Sequence, residues 1–219
     1  AKNNDATLTG GETSWQPGTI ADGVYVLTAS IVAVVDKKNV IDGSKIESGD
    51  VVLALASSGI HTNGFSLVRK IMEASPGILE EKVDGESFMN TILTPHRCYY
   101  NSLKDLFGEE GLVGLAHITG GGIQENLNRI LPGNLSAEID LGKIKILPIF
   151  KTLKEAGDLE DVDMLRTFNM GVGITAVVKE EFVDNAIDHL KGFGVDAYEI
   201  GVITKGNKSV EFKGGLDWK

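Results

Sequence analysis

The sequence predicts an α+β protein with α/β-type layering, in which helices cover a mixed β-sheet. Three observations carry that expectation. From Asp42-Gly43-Ser44 onward, short apolar runs alternate with stretches whose apolar residues recur at helical spacing. Two of the runs end in glycine-bearing loops that lead straight into a helical pattern. The bulk composition, 42% hydrophobic and 24% charged over 219 residues, is that of a globular chain able to bury a sizeable core.

Taken in order, the strands are expected at Val51–Ala56, Leu112–Ile118, Leu135–Ile139, Gly173–Val178, Tyr198–Thr204 and Val210–Lys213. Phe65, Val68, Ile71 and Met72 mark a first helix. Thr94-Pro95 reads as the N-cap and first residue of a helix carrying Tyr99, Leu103 and Leu106. Ile123, Leu127, Ile130 and Leu131 form a further apolar stripe, stopped by Pro132-Gly133. Pro148 opens a short helix that Gly157 ends, and Phe182, Ala186, Ile187 and Leu190 mark the last long one. Residues 1 to about 36 differ in texture. There, Ala6–Thr9 and Val24–Val35 read as strands joined by turns at Pro17-Gly18 and Asp22-Gly23. Such a pair is marginal alone and needs partners. The chain begins at Ala1 and enters strand-like sequence almost at once, so it reads as cut from something longer.

Charge and cysteine usage narrow the partners. With 21 basic and 31 acidic residues the net charge is −10, a poor match for nucleic acid or an anionic membrane. No apolar run is long enough to span a bilayer. Cys98 is the only cysteine, which fits a reducing compartment and makes the cytoplasm the default. A phosphorylated ligand would have to be held by backbone amides, a few basic groups and metal ions.

The chemistry-bearing residues cluster in four stretches. Ala116-His117-Ile118-Thr119-Gly120-Gly121-Gly122-Ile123-Gln124-Glu125-Asn126 places three glycines between an apolar run and a helix start. It is either a tight turn without a ligand or an anion loop in which unpaired N–H groups meet a phosphate. A second loop, Ser57-Ser58-Gly59-Ile60-His61-Thr62-Asn63-Gly64, offers small hydrogen-bonding groups, with a helix N-cap by Thr62 or Asn63. Gly10-Gly11-Glu12-Thr13 is either a bulged strand end or a close backbone approach to a ligand. Arg166-Thr167-Phe168-Asn169-Met170-Gly171 is either a solvated loop or a cation with two hydrogen-bonding side chains before a strand. His61 and His117 lie where strands meet these loops. His96 and His189 fall inside helical patterns and are assigned structural roles. No metal-ligand spacing and no Ser/His/Asp motif stands out.

In this order, these stretches resemble the phosphoribosylformylglycinamidine cyclo-ligase (aminoimidazole ribonucleotide synthetase) family. Ile41-Asp42-Gly43-Ser44-Lys45 and Phe65 to Ile71 extend the likeness, which covers essentially the whole chain. The resemblance implies a purine-biosynthesis ligase acting in the cytoplasm. ATP phosphorylates the amide oxygen of formylglycinamidine ribonucleotide, the amidine nitrogen attacks that carbon, and the imidazole ring closes, with magnesium stabilising phosphoryl charge. It implies that residues 36–219 are the family's C-terminal domain. Residues 1–35 would be the terminal strands of an N-terminal ATP-binding domain whose remainder carries the ATP loop, the metal ligands and most of a homodimer interface. The chain alone is then expected to be inactive. His61 is the implied catalytic residue. Ser58, Thr62, Asn63, Gly64, His117, Thr119, Gly120, Gly121, Gly122, Asn126, Arg166, Thr167 and Asn169 face the substrate. Gly10, Gly11, Glu12 and Thr13 serve the cofactors ATP and Mg, and no metal ligand is assigned.

Three departures from the family's pattern stand out. Ser14-Trp15-Gln16-Pro17 replaces a run that is often Ala-Glu-Met-Pro, and Tyr25-Val26 replaces Tyr-Asp, so two acids are lost. Pro95-His96-Arg97-Cys98-Tyr99 replaces a Thr-Arg-Ile-Tyr segment while keeping its arginine and tyrosine. The expected partner is a small nucleotide substrate, with no nucleic acid and no membrane. Two other readings stand beside the cyclo-ligase. One is another ATP-dependent member of the same superfamily, of the formylglycinamidine synthetase, selenophosphate synthetase, thiamine-monophosphate kinase or hydrogenase-maturation type. The other is an anion-binding module without catalysis.

Overall fold

A computed structural model describes residue 4 and residues 6–219. The chain divides into two compact units, Ala1–Val40 and Ile41–Lys219.

The second unit is built on one six-stranded sheet. Its strands are β1 (Val51–Ala56), β4 (Leu112–His117), β5 (Leu135–Asp140), β6 (Val172–Val178), β7 (Ala197–Lys205) and β8 (Val210–Lys213), in the order β4-β6-β1-β7-β5-β8. All neighbours are antiparallel except β5 and β8, so the sheet is mixed, as the sequence predicts. A separate two-stranded hairpin, β2 (Lys82–Val83) with β3 (Glu86–Ser87), turns at Asp84-Gly85. The helices are α1 (Phe65–Ala74), α2 (Phe88–Ile92), α3 (Tyr100–Leu103), α4 (Gly122–Ile130), α5 (Pro148–Gly157), α6 (Asp161–Thr167) and α7 (Val183–Gly192).

Strand periodicity divides the core between the two faces of the sheet. Val52 and Ala54 of β1 join Val68 and Ile71 of α1, Ile123 and Leu127 of α4, and Ile149, Phe150 and Leu153 of α5 in one buried cluster. Leu53 and Leu55 point the other way and pack with Leu103 of α3 and Val183, Ala186 and Leu190 of α7. A central strand covered on both faces needs apolar residues at successive positions, which is why Val51–Ala56 reads as a continuous apolar run. Pro148 at the first position of α5 costs no hydrogen bond there, and Asp158 ends that helix in a left-handed conformation.

Three local expectations fail. Thr94-Pro95 does not open a helix. The Thr94 hydroxyl donates to the Asn90 carbonyl at 3.3 Å at the end of α2, and α3 begins only at Tyr100. His96 therefore lies outside any helix, in the loop before α3. In the first unit, Ala6–Thr9 and Val24–Val35 form no strand among the described residues, and a 3₁₀ turn lies at Lys37–Asn39. A β-ladder needs a neighbouring strand to satisfy its backbone, and the described residues of the first unit supply none. Its apolar side chains stand open, with Leu27 99% exposed. The helix α6 and the β2–β3 hairpin were not expected, being too short to show a clear period. Among the described residues no helix is long and apolar enough to cross a membrane.

Phe150 sits at the centre of the larger cluster, fully buried and with its ring 5.6 Å from that of Phe168. Truncating it to alanine leaves a large cavity, so Phe150→Ala is expected to lower unfolding free energy by about 3–5 kcal/mol in urea denaturation. The exposed Val162→Ala should change it by less than about 0.5 kcal/mol.

Candidate functional site

The site lies at one end of the sheet. Strand β6 runs between β1 and β4 and is antiparallel to both, with Val172 opposite Ala56 and Ile174 opposite His117. The C-terminal ends of β1 and β4 and the start of β6 therefore share one end. This brings together the Ser57–Gly64 loop, the Ile118–Gly122 loop and the Arg166–Gly171 segment, the three stretches singled out from sequence in this unit. Loops at strand C-termini are where open sheets of this kind hold ligands.

Buried side chains pin the three segments together. The Asn169 amide is 1% exposed. Its oxygen accepts from Ser57 Oγ at 3.0 Å and from the Gly171 N–H at 2.8 Å, while its nitrogen donates to the Gly59 carbonyl at 2.9 Å. Asn126 of α4 props the glycine loop in the same way. Its nitrogen donates to the carbonyls of Gly122 at 2.8 Å and Gly120 at 3.2 Å, and its oxygen accepts from Thr119 Oγ1 at 3.1 Å. Both asparagines face inward and order loops; neither has its amide turned to the open side.

His61 is the hub of the first loop. Its Nε2 accepts from the Ser58 N–H at 3.0 Å and from the Arg97 N–H at 3.3 Å. Two backbone donors on one ring nitrogen assign it as the unprotonated one, which puts the ring proton on Nδ1. Nδ1 is buried and, among the described residues, has no hydrogen-bond partner. Ser58 Oγ also lies 3.0 Å from Nε2 but gives its proton to the Pro95 carbonyl at 2.8 Å. With no carboxylate on Nδ1, this is not an activated nucleophile. His61 and Thr62 both adopt the left-handed region, with φ of 52° and 62°, a strained conformation for residues with side chains. Neither Thr62 nor Asn63 caps α1. Gly64 occupies the cap position, while the Thr62 hydroxyl and the Asn63 amide both donate to the His61 carbonyl, at 2.6 and 2.9 Å. The loop's own curl consumes those groups before they reach the helix end.

The glycine loop spends backbone donors within the fold. The Gly121 N–H donates to the Arg166 carbonyl at 2.9 Å and the Gly122 N–H to the Thr119 carbonyl at 3.0 Å. The Glu125 side chain folds back over Gly121, where its charge meets the helix end. Much of the donor set expected for an anion is thus used internally. Gly122 has φ 61°, and a Cβ there would overlap the Leu165 carbonyl oxygen, so the loop and α6 approach through it.

One participant was missed. His96 stacks on His61 with ring centroids 4.0 Å apart and planes at 13°, and its ring lies 5.2 Å from that of His117. Tyr99 meets the edge of His61 and donates its hydroxyl to the Ala56 carbonyl at 2.7 Å. His61 is 1% exposed, whereas His96 and His117 are open to solvent. Burial, then the neighbouring His96, His117 and Arg97, pushes the His61 pKa down to about 4. Desolvation and His117 lower that of His96, and desolvation lowers that of His117. The signal for His96 in the sequence is its place in Pro95-His96-Arg97, and nothing local announces that this segment folds onto the β1 loop. His189 does lie on a helix, α7, where its Nε2 is 3.1 Å from the Ser102 carbonyl. Arg166 is exposed on α6, with the half-buried Thr167 beside it. Gly10, Gly11, Glu12 and Thr13 belong to the first unit and are exposed. Among the described residues no group of three or more His, Cys, Asp or Glu is placed to hold a metal ion, so no magnesium ligand is assigned.

Fold and site together define the class. The profile of the "AIR synthase related protein, C-terminal domain" family matches residues 47–213, and the chain belongs to that family. Among curated proteins it is similar to phosphoribosylformylglycinamidine cyclo-ligases. It is 41% identical to that of Brevibacillus brevis (97% of this chain, 62% of the relative) and 44% identical to that of Burkholderia ambifaria (90% and 56%). The chain thus spans between half and two thirds of the length of these relatives. In fold it is similar to thiamine-monophosphate kinase from Stenotrophomonas maltophilia, with TM-score 0.56, 17% identity and coverage of 84% of this chain and 56% of that one. The hydrogenase maturation protein HypE of E. coli gives TM-score 0.52, 18% identity and coverage of 81% and 52%.

Two outcomes follow from the local geometry. Gly122→Ala is expected to destabilise by about 1–3 kcal/mol in denaturant unfolding, while Gly120→Ala, where a Cβ meets nothing within 4 Å, should be nearly neutral. Because His61 is held neutral when folded but takes up a proton near 6.5 when unfolded, the unfolded state binds more protons between those values. Stability from this group is full above about pH 6.5 and is lost as pH falls towards about 4, by an amount on the order of 3 kcal/mol. A pH series of urea denaturations should show this slope in the wild type and a shallower one in His61→Gln.

Proposed function

We propose that this chain forms the substrate-side wall of an ATP-dependent cyclo-ligase that closes the imidazole ring of formylglycinamidine ribonucleotide. The carrying observation is the convergence of three loops at one sheet end, ordered by Asn169, Asn126 and His61, in a chain similar over nearly its whole length to proteins named phosphoribosylformylglycinamidine cyclo-ligase. In this reading the nucleotide lies across His96, His117, Thr119 and Gly120, with Arg166 at the rim. His61 acts beneath that surface. Its Nε2 fixes the Ser58 and Arg97 backbone, and its buried, neutral ring gives His96 a flat support.

The ATP side is proposed to lie with the first unit and with sequence beyond the match. Gly10, Gly11, Glu12 and Thr13 would serve ATP and Mg there, with the apolar run Val24–Val35 taking up strand partners from that domain and, in the whole protein, from a second copy. The second unit's contribution is binding, orientation and exclusion of water. Its ordered loops are formed before the ligand arrives, which lowers the entropic cost of closing the ring. The chain by itself is then inactive.

Isothermal titration of the chain with formylglycinamidine ribonucleotide tests this reading. Expected are binding without turnover for the chain alone and ATP-dependent ring closure once the preceding region is supplied. Asn126→Ala, which unties the glycine loop, should weaken binding about tenfold or more. ATP-dependent phosphorylation of thiamine monophosphate in place of ring closure would overturn the assignment.

A further inference from the structure

We propose that His96 and His117 form a proton-coupled clamp for a phosphate monoester, a site that becomes cationic only as the anion enters. It rests on the reading of this surface as the substrate wall, and it assigns the phosphate a place that the helix end does not offer. The two rings come from separate elements, the loop before α3 and the end of β4. Their centroids are 5.2 Å apart with planes inclined at 50°, and both are open to solvent. Behind them the His61 ring, stacked 4.0 Å from His96 and met at its edge by Tyr99, closes the floor.

The helix-end alternative for holding an anion is largely occupied, and the exposed Arg166 stands at the rim. The Gly121 and Gly122 N–H groups at the start of α4 serve the Arg166 and Thr119 carbonyls, and the Glu125 side chain folds over Gly121. Arg97 directs Nη1 to the Gly194 carbonyl at 3.0 Å. The His96 and His117 imidazoles present open faces. Among the described residues, the titratable and charged groups recorded against His96 and His61 are Tyr99 behind them, His117 beside His96 and Arg97 next in the chain, none of them a carboxylate. A second cation beside the first is repelled, so the empty pair stays neutral near pH 7. A phosphate dianion reverses that balance, and one imidazole takes up a proton from solvent to become a charge-assisted donor. Histidine is suited to this because its ordinary pKa is close enough for one anion to move it across neutrality.

Calorimetric titration of the intact chain with ribose 5-phosphate, in two buffers of different ionisation enthalpy near pH 7.5, reads the proton directly. Expected is uptake of about one proton per anion bound, with affinity rising about tenfold or more as pH is lowered from about 8 to about 6.5. His96→Gln, at an exposed position, should keep the melting temperature while removing most of the uptake and weakening binding roughly tenfold. Ribose should not bind, and a non-hydrolysable ATP analogue run in parallel shows whether the clamp prefers a sugar phosphate or a nucleotide triphosphate. The proposal is overturned if ribose 5-phosphate does not bind, if it binds without proton uptake, or if His96→Gln and His117→Gln both leave the uptake intact. The failure is distinguishable from that of the cyclo-ligase reading, because sugar-phosphate binding and its proton count require no ring closure.

Discussion

One buried amide holds the candidate site together. Asn169 connects the end of β1 to the start of β6 by accepting from Ser57 and Gly171 and donating to Gly59. Without it, the Gly171 N–H loses its partner in a dry interior, at a cost of about 1–3 kcal/mol, and Ser57 Oγ and the Gly59 carbonyl keep only their 3.1 Å bond to each other. The amide also fixes where the Ser57–Gly64 loop leaves the sheet, and hence where His61 lands. From there the order propagates: His61 takes the Ser58 and Arg97 N–H groups on one nitrogen, and this brings the loop before α3, with His96, onto the β1 loop. Position in the site is inherited from the interior outward.

The same connections explain why the local backbone tolerates strain. His61, Thr62 and Met170 all hold positive φ, which side chains resist. Each lies in a segment whose neighbours are tied by the Asn169 and His61 bonds, so the surroundings over-determine the conformation. A close approach serves the same end across the sheet. A Cβ on Gly173 would collide with the Tyr99 hydroxyl and lie 2.8 Å from the His61 ring. Glycine at that position lets β6 press against both rings, and Tyr99 then reaches the Ala56 carbonyl.

The sheet was largely legible in the sequence, because burial imposes a pattern on neighbouring residues. Val51–Ala56 and Val210–Lys213 are found as read, and the other strands differ by one or two residues at their ends. The ends of elements were less legible. Thr94-Pro95 and Thr62-Asn63 have good capping chemistry, yet their side chains serve the preceding helix and the loop's own carbonyl. Capping propensity is a local preference, and long-range bonds such as that from Ser58 to the Pro95 carbonyl decide between preferences of similar size. For the candidate site, the three loops were visible in the sequence as glycine-bearing stretches, but which face each would present was not. Asn126 and Asn169 turn inward, and the glycine loop spends its amides on Arg166 and Thr119. His96 was unreadable for the opposite reason. Its importance comes from a stack made across 35 residues of chain, and sequence spacing carries no trace of that contact.

The overall charge bears on how such a site must work. A chain of net charge −10 repels a phosphorylated ligand at long range, although salt limits the reach to about 10 Å. Permanent cations at the site offset this in part: Arg166 stands exposed at the rim, and Arg97 directs Nη1 to the Gly194 carbonyl. A fixed cation beside His61, as Arg97 is, disfavours protonation of the ring and so preserves the Nε2 that accepts two backbone N–H groups. Imidazoles on top of that ring act in the same direction. They leave the hydrogen-bonded loops undisturbed when the site is empty, and they supply positive charge where an anion sits, drawn from solvent at the moment it is needed.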